Sequence, residues 1–259
     1  MSGTSLEQRA VDGTLPPEKV RMMFDRIARP YDRMNRVMTA GLDRRWRALA
    51  ADEARVGLGA TVADVCCGTG DLALELAERV GDAGEVTGID FSENMLEIAR
   101  EKAARRNRAN VRFVPGDALD LPIGDDEVAA ATIAFGMRNL ADHEQGFREL
   151  VRVVRPGGRV VCLEITTPQG AVLGGFYRVW FDRLVPAVGN VVDRGDSAYS
   201  YLPASVRRFP GPDQLGKIMY AAGLDRVRYR TLAGGIIGLH VGEVPRLRSP
   251  CEAPKERTA

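Results

Sequence analysis

The sequence predicts an α/β fold, a parallel sheet with helices on both faces, from three observations. Short apolar runs alternate with helical stretches through the middle of the chain, the pattern of βαβ units. A glycine turn, Gly68-Thr69-Gly70, stands between the first run and the helical stretch behind it. A second run, Glu85-Val-Thr-Gly-Ile-Asp90, ends on a carboxylate beyond that helix. Strand, glycine turn and helix bring bare backbone close to a ligand, and an acid at the second strand tip accepts bonds from ribose hydroxyls. The site is one for a nucleoside cofactor.

The elements follow in order. Residues 1–17 read as a disordered lead. From 18 to 54 the spacing predicts helices, with Val20, Met23, Phe24, Ile27 and Ala28 on one face, an interruption at Pro30 and a break at Gly41. Strand 61–66, helix 71–80, strand 85–90 and helix 93–106 open the alternation. Strands 111–115 and 128–134, helix 142–154 and strand 159–165 continue it, with Arg155-Pro-Gly-Gly158 as the turn before the last. The segment 170–210 stands apart: its apolars from Val172 to Val185 are too many for one core-facing stripe. We expect a lid there that holds an apolar chain and rests on a membrane. A helix near 212–222 and strands 225–232 and 236–241 complete a domain spanning 18–244, and 245–259 reads as a disordered tail.

Composition is that of a globular protein, with 36 basic and 35 acidic residues and a net charge of +1. That balance, without a basic tract, argues against a nucleic-acid partner. Only four of the basic residues are lysines. Cys66, Cys67, Cys162 and Cys251 lack zinc or scaffold spacing, so no metal is expected and Cys66 and Cys67 read as small buried residues. With no signal peptide and no membrane-spanning run, the expected location is cytoplasmic.

Which cofactor the turn holds depends on its charges. A dinucleotide fold would place a third glycine where Ala73 stands, and Asp71 at the helix start would repel a pyrophosphate. Asp71 suits a cationic ligand such as the amino group and sulfonium of S-adenosylmethionine. On the third strand, Asp117 can accept from an adenine amino group.

Asp64-x-x-Cys-Gly-Thr-Gly, Ile89-Asp90, Gly116-Asp-Ala118 and Arg155-Pro-Gly-Gly158 resemble the motif series of the Rossmann-like S-adenosylmethionine-dependent methyltransferases. Longer stretches are similar to the ubiquinone/menaquinone biosynthesis C-methyltransferase family: Phe24-Asp-x-Ile-Ala-x-x-Tyr-Asp-x-Met-Asn35, Asp43-Arg-Arg-Trp46, Ala134-Phe-Gly-Met-Arg-Asn139, Tyr199-x-Tyr-Leu-Pro-x-Ser205 and Gly234-Gly-Ile-x-x-Leu-His240. The resemblance implies a seven-stranded sheet with an antiparallel last strand, extra N-terminal helices and a helical lid insertion. It implies methylation of a ring carbon on a prenylated quinol, demethylmenaquinol being the expected acceptor, and it places cofactor contacts on Thr69, Asp90, Asp117 and Ala118. Gly68, Gly70, Asp71 and Ala134 join that set by position. Two departures stand out: Cys66 where many methyltransferases carry Gly, and Ala134 where some relatives have Ser.

An aromatic C–H is a poor nucleophile until a neighbouring hydroxyl loses its proton, so the substrate should be the reduced quinol. Arg138 is expected to stabilise the phenolate or position a water, Asn139 to orient it, and Tyr31 and Asp32 to close over the cofactor or act as base. His143 reads as solvated, His240 as a satisfied core histidine. Expected partners are the quinol, transiently a membrane surface, and a second copy of the chain in a homodimer. A ubiquinone precursor or other phenol as acceptor, or a non-catalytic role in a quinone-synthesis complex, are the alternatives.

Overall fold

The computed structural model describes residues 15–167 and 198–246. Most of the expected lead, most of the lid segment and most of the tail lie outside those residues; Pro17, expected in the lead, opens the first helix. Seven strands form one sheet: β1 (Thr61–Val65), β2 (Glu85–Asp90), β3 (Val111–Pro115), β4 (Val128–Ala134), β5 (Val154–Ile165), β6 (Asp225–Leu232) and β7 (Ile237–Glu243). Their spatial order is β3-β2-β1-β4-β5-β7-β6, and the first five run parallel. β7 inserts antiparallel between β5 and β6. The strand order reverses between β1 and β4, the place where open α/β sheets leave a crevice at their carboxyl ends.

Side chains alternate across the sheet with period two. Val62, Ala130, Val161 and Leu163 face one layer, built from helices α2 (Leu42–Glu53), α3 (Asp71–Val80) and α4 (Glu93–Arg105). Ala63, Val65, Ala131, Ile133 and Cys162 face the other, covered by α5 (His143–Val153) and α7 (Pro212–Ala221). Trp46 lies in the first of these cores. Among the described residues, no helix is long and apolar enough to cross a membrane.

Three expectations change. The first helix, α1 (Pro17–Met38), runs through Pro30 without a break. Its apolar stripe (Val20, Met23, Ile27, Ala28, Met34) is buried on both sides of the proline, and that burial outweighs one missing backbone bond. Strand β5 starts at Val154, because the Arg155–Gly158 turn is stitched into the sheet: Gly157 N donates to Val244 O (2.8 Å) and Val244 N to Gly158 O (2.9 Å). Within the segment expected to be a helical insertion, the stretch around Tyr199 lies in a helix, α6 (Ala198–Arg208), which contains Pro203. His143 packs edge-on against Phe209 at 5.2 Å, and burial lowers its pKa.

Candidate active site

The glycine turn leaves β1 with a backbone that favours residues without a side chain. Gly68 and Gly70 have φ of 53° and 82°, and Cys66 adopts 53°. A Cβ on Gly70 would also lie 2.8 Å from the Phe113 ring. Cys66 therefore occupies a glycine-like conformation. The thiols of Cys66 and Cys67 are half-buried, and burial pushes both well above the usual cysteine range.

Asp90 closes the turn from the tip of β2. One carboxylate oxygen accepts from Gly68 N at 2.8 Å and the other from Ser92 N at 2.9 Å. Burial raises its pKa to about 6, against the pull of those N–H donors. Ser92 caps α4, accepting from Met95 N, and donates to Asp25 of α1 at 2.5 Å. The carboxylate is thus fixed from two sides with lone pairs left for a ligand.

A cleft opens at this point. It is lined by Gly68 and Asp90, by Gly116, Asp117 and Ala118 after β3, and by Ala134, Phe135 and Asn139 at and beyond the end of β4. Helix α1 supplies Phe24 and Tyr31, packed edge-on at 6.2 Å, and Phe91 leans on Phe24. Asp117 is exposed, with one oxygen taken by Leu119 N at 2.9 Å; Ala118 is buried beside it.

The remaining acidic candidates sit behind the lining. Thr69 is 3% exposed and donates to Asp32 at 2.6 Å. Lys102, which the sequence alone did not single out, bonds Thr69 Oγ1 (2.9 Å) and pairs with both Asp32 (2.5 Å) and Asp71 (2.7 Å). Asp71, expected to face a cationic ligand, faces Lys102 instead. Burial opposes its charge, but Lys102 outweighs that and holds its pKa below the usual range.

Arg138 is 6% exposed and pairs at 2.7 Å with Glu164, itself 1% exposed. Glu164 also accepts from the backbone N–H groups of Arg138 and Ile165. Burial disfavours the guanidinium charge, yet Glu164 more than compensates and Arg138 stays cationic. Both Arg138 and Asn139 donate to Phe135 O, which a φ of 61° holds toward them. Among the described residues Arg138 Nε and Asn139 Oδ1 have no hydrogen-bond partner, although both are buried. Such orphaned atoms are uncommon in the absence of a ligand or water. Glu164 escaped sequence analysis, although an acid within the apolar run Val160–Ile165 signals a buried partner. His240, also buried, bonds Pro212 O at 3.0 Å and stacks on Tyr229, but its Nδ1 has no hydrogen-bond partner among the described residues, so it is a core histidine only partly satisfied.

The chain matches the model of the ubiE/COQ5 methyltransferase family over residues 13–244. It is 47% identical to the demethylmenaquinone methyltransferase of Thermus thermophilus, over 86% of this chain and 100% of that one. With the Deinococcus radiodurans enzyme of the same name the identity is 45%, covering 87% and 92%. Among solved structures, the cyclase SpnF aligns with a TM-score of 0.67 at 19% identity, over 89% of this chain and 97% of its own. A SAM-dependent methyltransferase from Aquifex aeolicus aligns at 0.54 and 22%, over 73% and 84%. A fold shared with a cyclase leaves the chemistry to the site. The sequence likeness, continuous from α1 through β7, is what decides the lineage: the chain belongs to the ubiE/COQ5 methyltransferase family.

Proposed function

We propose that the protein methylates a ring carbon of demethylmenaquinol, using S-adenosylmethionine and releasing menaquinol. The observation that carries this reading is the composition of the cleft. Its nucleoside end has Gly68, Asp90 and Asp117, and its other residues include an aromatic hydroxyl and an orphaned amide, Tyr31 and Asn139. The Thermus and Deinococcus relatives, both named demethylmenaquinone methyltransferase, support the choice of acceptor.

The residues present fit the cofactor. Asp90 would hold the ribose hydroxyls, Asp117 the adenine amino group, and Ala118 and Ala134 the ring's edge, while Gly68 lets backbone come close and Gly70 keeps the turn clear of Phe113. Asp71 and Thr69 contribute through Lys102, which ties the turn to α1. When bound, S-adenosylmethionine supplies an electrophilic methyl group.

What the chain itself must do is make the quinol carbon nucleophilic. A phenol of pKa about 10 stays protonated at neutral pH unless its anion is stabilised. Arg138, buried and permanently charged, stabilises a phenolate in a low dielectric, and Asn139 orients the ring hydroxyl or a water beside it. Tyr31 closes the cleft from α1. Asp32, engaged with Lys102 and Thr69, serves to hold α1 in place rather than as base.

The prenyl tail keeps the acceptor in a bilayer, so the enzyme works in transient contact with a membrane surface. The apolar segment 170–189 and a pairing of two copies belong to the same reading. The acceptor is tested by offering reduced demethylmenaquinol and a reduced benzoquinol precursor in competition. Methylation confined to the naphthoquinol is expected; preference for the benzoquinol would move the assignment to ubiquinone chemistry.

A further inference from the structure

Helices α1 and α2 carry a charge imbalance that the whole chain does not. Between residues 17 and 45, Lys19, Arg21, Arg26, Arg29, Arg33, Arg36, Arg44 and Arg45 are all exposed, against one exposed acid, Glu18. The other three acids there turn inward: Asp25 to Ser92, Asp32 to Lys102 and Asp43 to Arg47. The chain's net charge is only +1, so this face is a local concentration of cations.

Helical geometry sharpens the pattern. At 100° per residue, Lys19, Met22, Arg26, Arg29, Arg33, Arg36 and Val37 fall on one side of α1, opposite its buried stripe. Met22, Val37 and the neighbouring Leu42 are 50%, 63% and 44% exposed, three of the six large apolar side chains exposed among the described residues. The inner side of the same helix brings Phe24 and Tyr31 to the cleft.

We infer that the outer face of α1, extended by Leu42, Arg44 and Arg45 of α2, docks on an anionic phospholipid bilayer. Clustered basic residues are drawn to acidic headgroups, and apolar side chains among them enter the interface. A nucleic acid would also meet the cations, but its phosphates give nothing to Met22, Val37 and Leu42. A bilayer uses both. Docking through α1 presses onto the membrane the helix that walls the cleft, where a prenylated acceptor has to enter. The inference rests on the reading of the acceptor as a membrane quinol only for its purpose, not for its test.

The test is flotation of the full-length protein with phosphatidylcholine vesicles, with and without phosphatidylglycerol, for wild type and for a triple variant Arg29→Gln, Arg33→Gln, Arg36→Gln. Each basic residue at an anionic surface is worth about fivefold in partitioning, so the triple variant should bind phosphatidylglycerol vesicles on the order of a hundredfold more weakly. Methyl transfer to a water-soluble, short-chain quinol should be the same in both proteins. Equal binding of wild type and variant would overturn the inference. So would equal binding of wild type to neutral and anionic vesicles, or stronger binding to duplex DNA than to either. Charge-dependent vesicle binding without methyl transfer to any quinol would leave this docking surface standing and remove the proposed activity instead.

Discussion

Asp32 of α1 lies 2.5 Å from Lys102 Nζ of α4, and the same ammonium reaches Asp71 at the start of α3. One cation thus joins three helices directly behind the glycine turn, with Thr69 Oγ1 bonded to both Asp32 and Lys102. Without it two carboxylates would face each other in a partly buried space.

Replacing Lys102 by Met should therefore loosen α1 and the turn together. The cluster is only about three-quarters to four-fifths buried, so we place the loss between exposed and fully buried pairs, about 1–3 kcal/mol. Thermal unfolding reads the stability, and calorimetric titration should show weaker S-adenosylmethionine binding. The double variant Lys102→Met with Asp32→Asn should recover part of both. A single variant with wild-type stability and affinity would mean that the cluster is incidental.

Two buried carboxyls set an opposing pH dependence. Burial raises Asp64 to about 7, although Thr132 donates to it at 2.7 Å, and raises Asp90 to about 6. Both folded values exceed the unfolded one of about 4. Their contribution to stability is complete below that value and fades as pH rises through 6 and 7. Asp64→Asn should flatten the decline in Tm between pH 5 and 8; an unchanged slope would contradict this assignment. Cofactor affinity should run the other way. Ionised Asp90 is the stronger acceptor, so Kd for S-adenosylmethionine should fall as pH rises from 5 to 7, and Asp90→Asn should remove that trend.

The buried pair of Arg138 and Glu164 separates chemistry from binding. Arg138→Lys keeps the charge but loses the planar guanidinium, whose Nη1 bonds both Glu164 and Phe135 O and whose buried Nε is free for a ligand. Its kcat should fall on the order of a hundredfold, with Kd for S-adenosylmethionine changing by less than about threefold. Glu164→Gln should cost stability, because it leaves a buried guanidinium without its counterion. A kcat near wild type in Arg138→Lys would remove the guanidinium from the phenolate step.

Much of the site is legible in the sequence because it is local. Gly68, Gly70 and Asp90 follow apolar runs whose period marks the strands, and the turn's chemistry lies within a few residues of them. Asp117 and Asn139 are similarly tied to strand ends. Lys102 is not legible: its partners lie 31 and 70 positions away, and a lysine on an amphipathic helix reads as solvated. Pro30 misleads for a related reason. A proline signals a break locally, while tertiary burial on either side carries α1 through it. The Arg155–Gly158 turn reads as an element boundary, and only pairing with the end of β7 and Val244 makes it part of a strand.

The most direct measurement is transfer of a labelled methyl group from S-adenosylmethionine to demethylmenaquinone, with the acceptor held reduced in one arm and oxidised in the other. Label in the quinone fraction of the reduced arm alone is the predicted result, since only the quinol has a hydroxyl to ionise. Equal labelling of both arms, or none in either while the cofactor binds, would contradict the phenolate account.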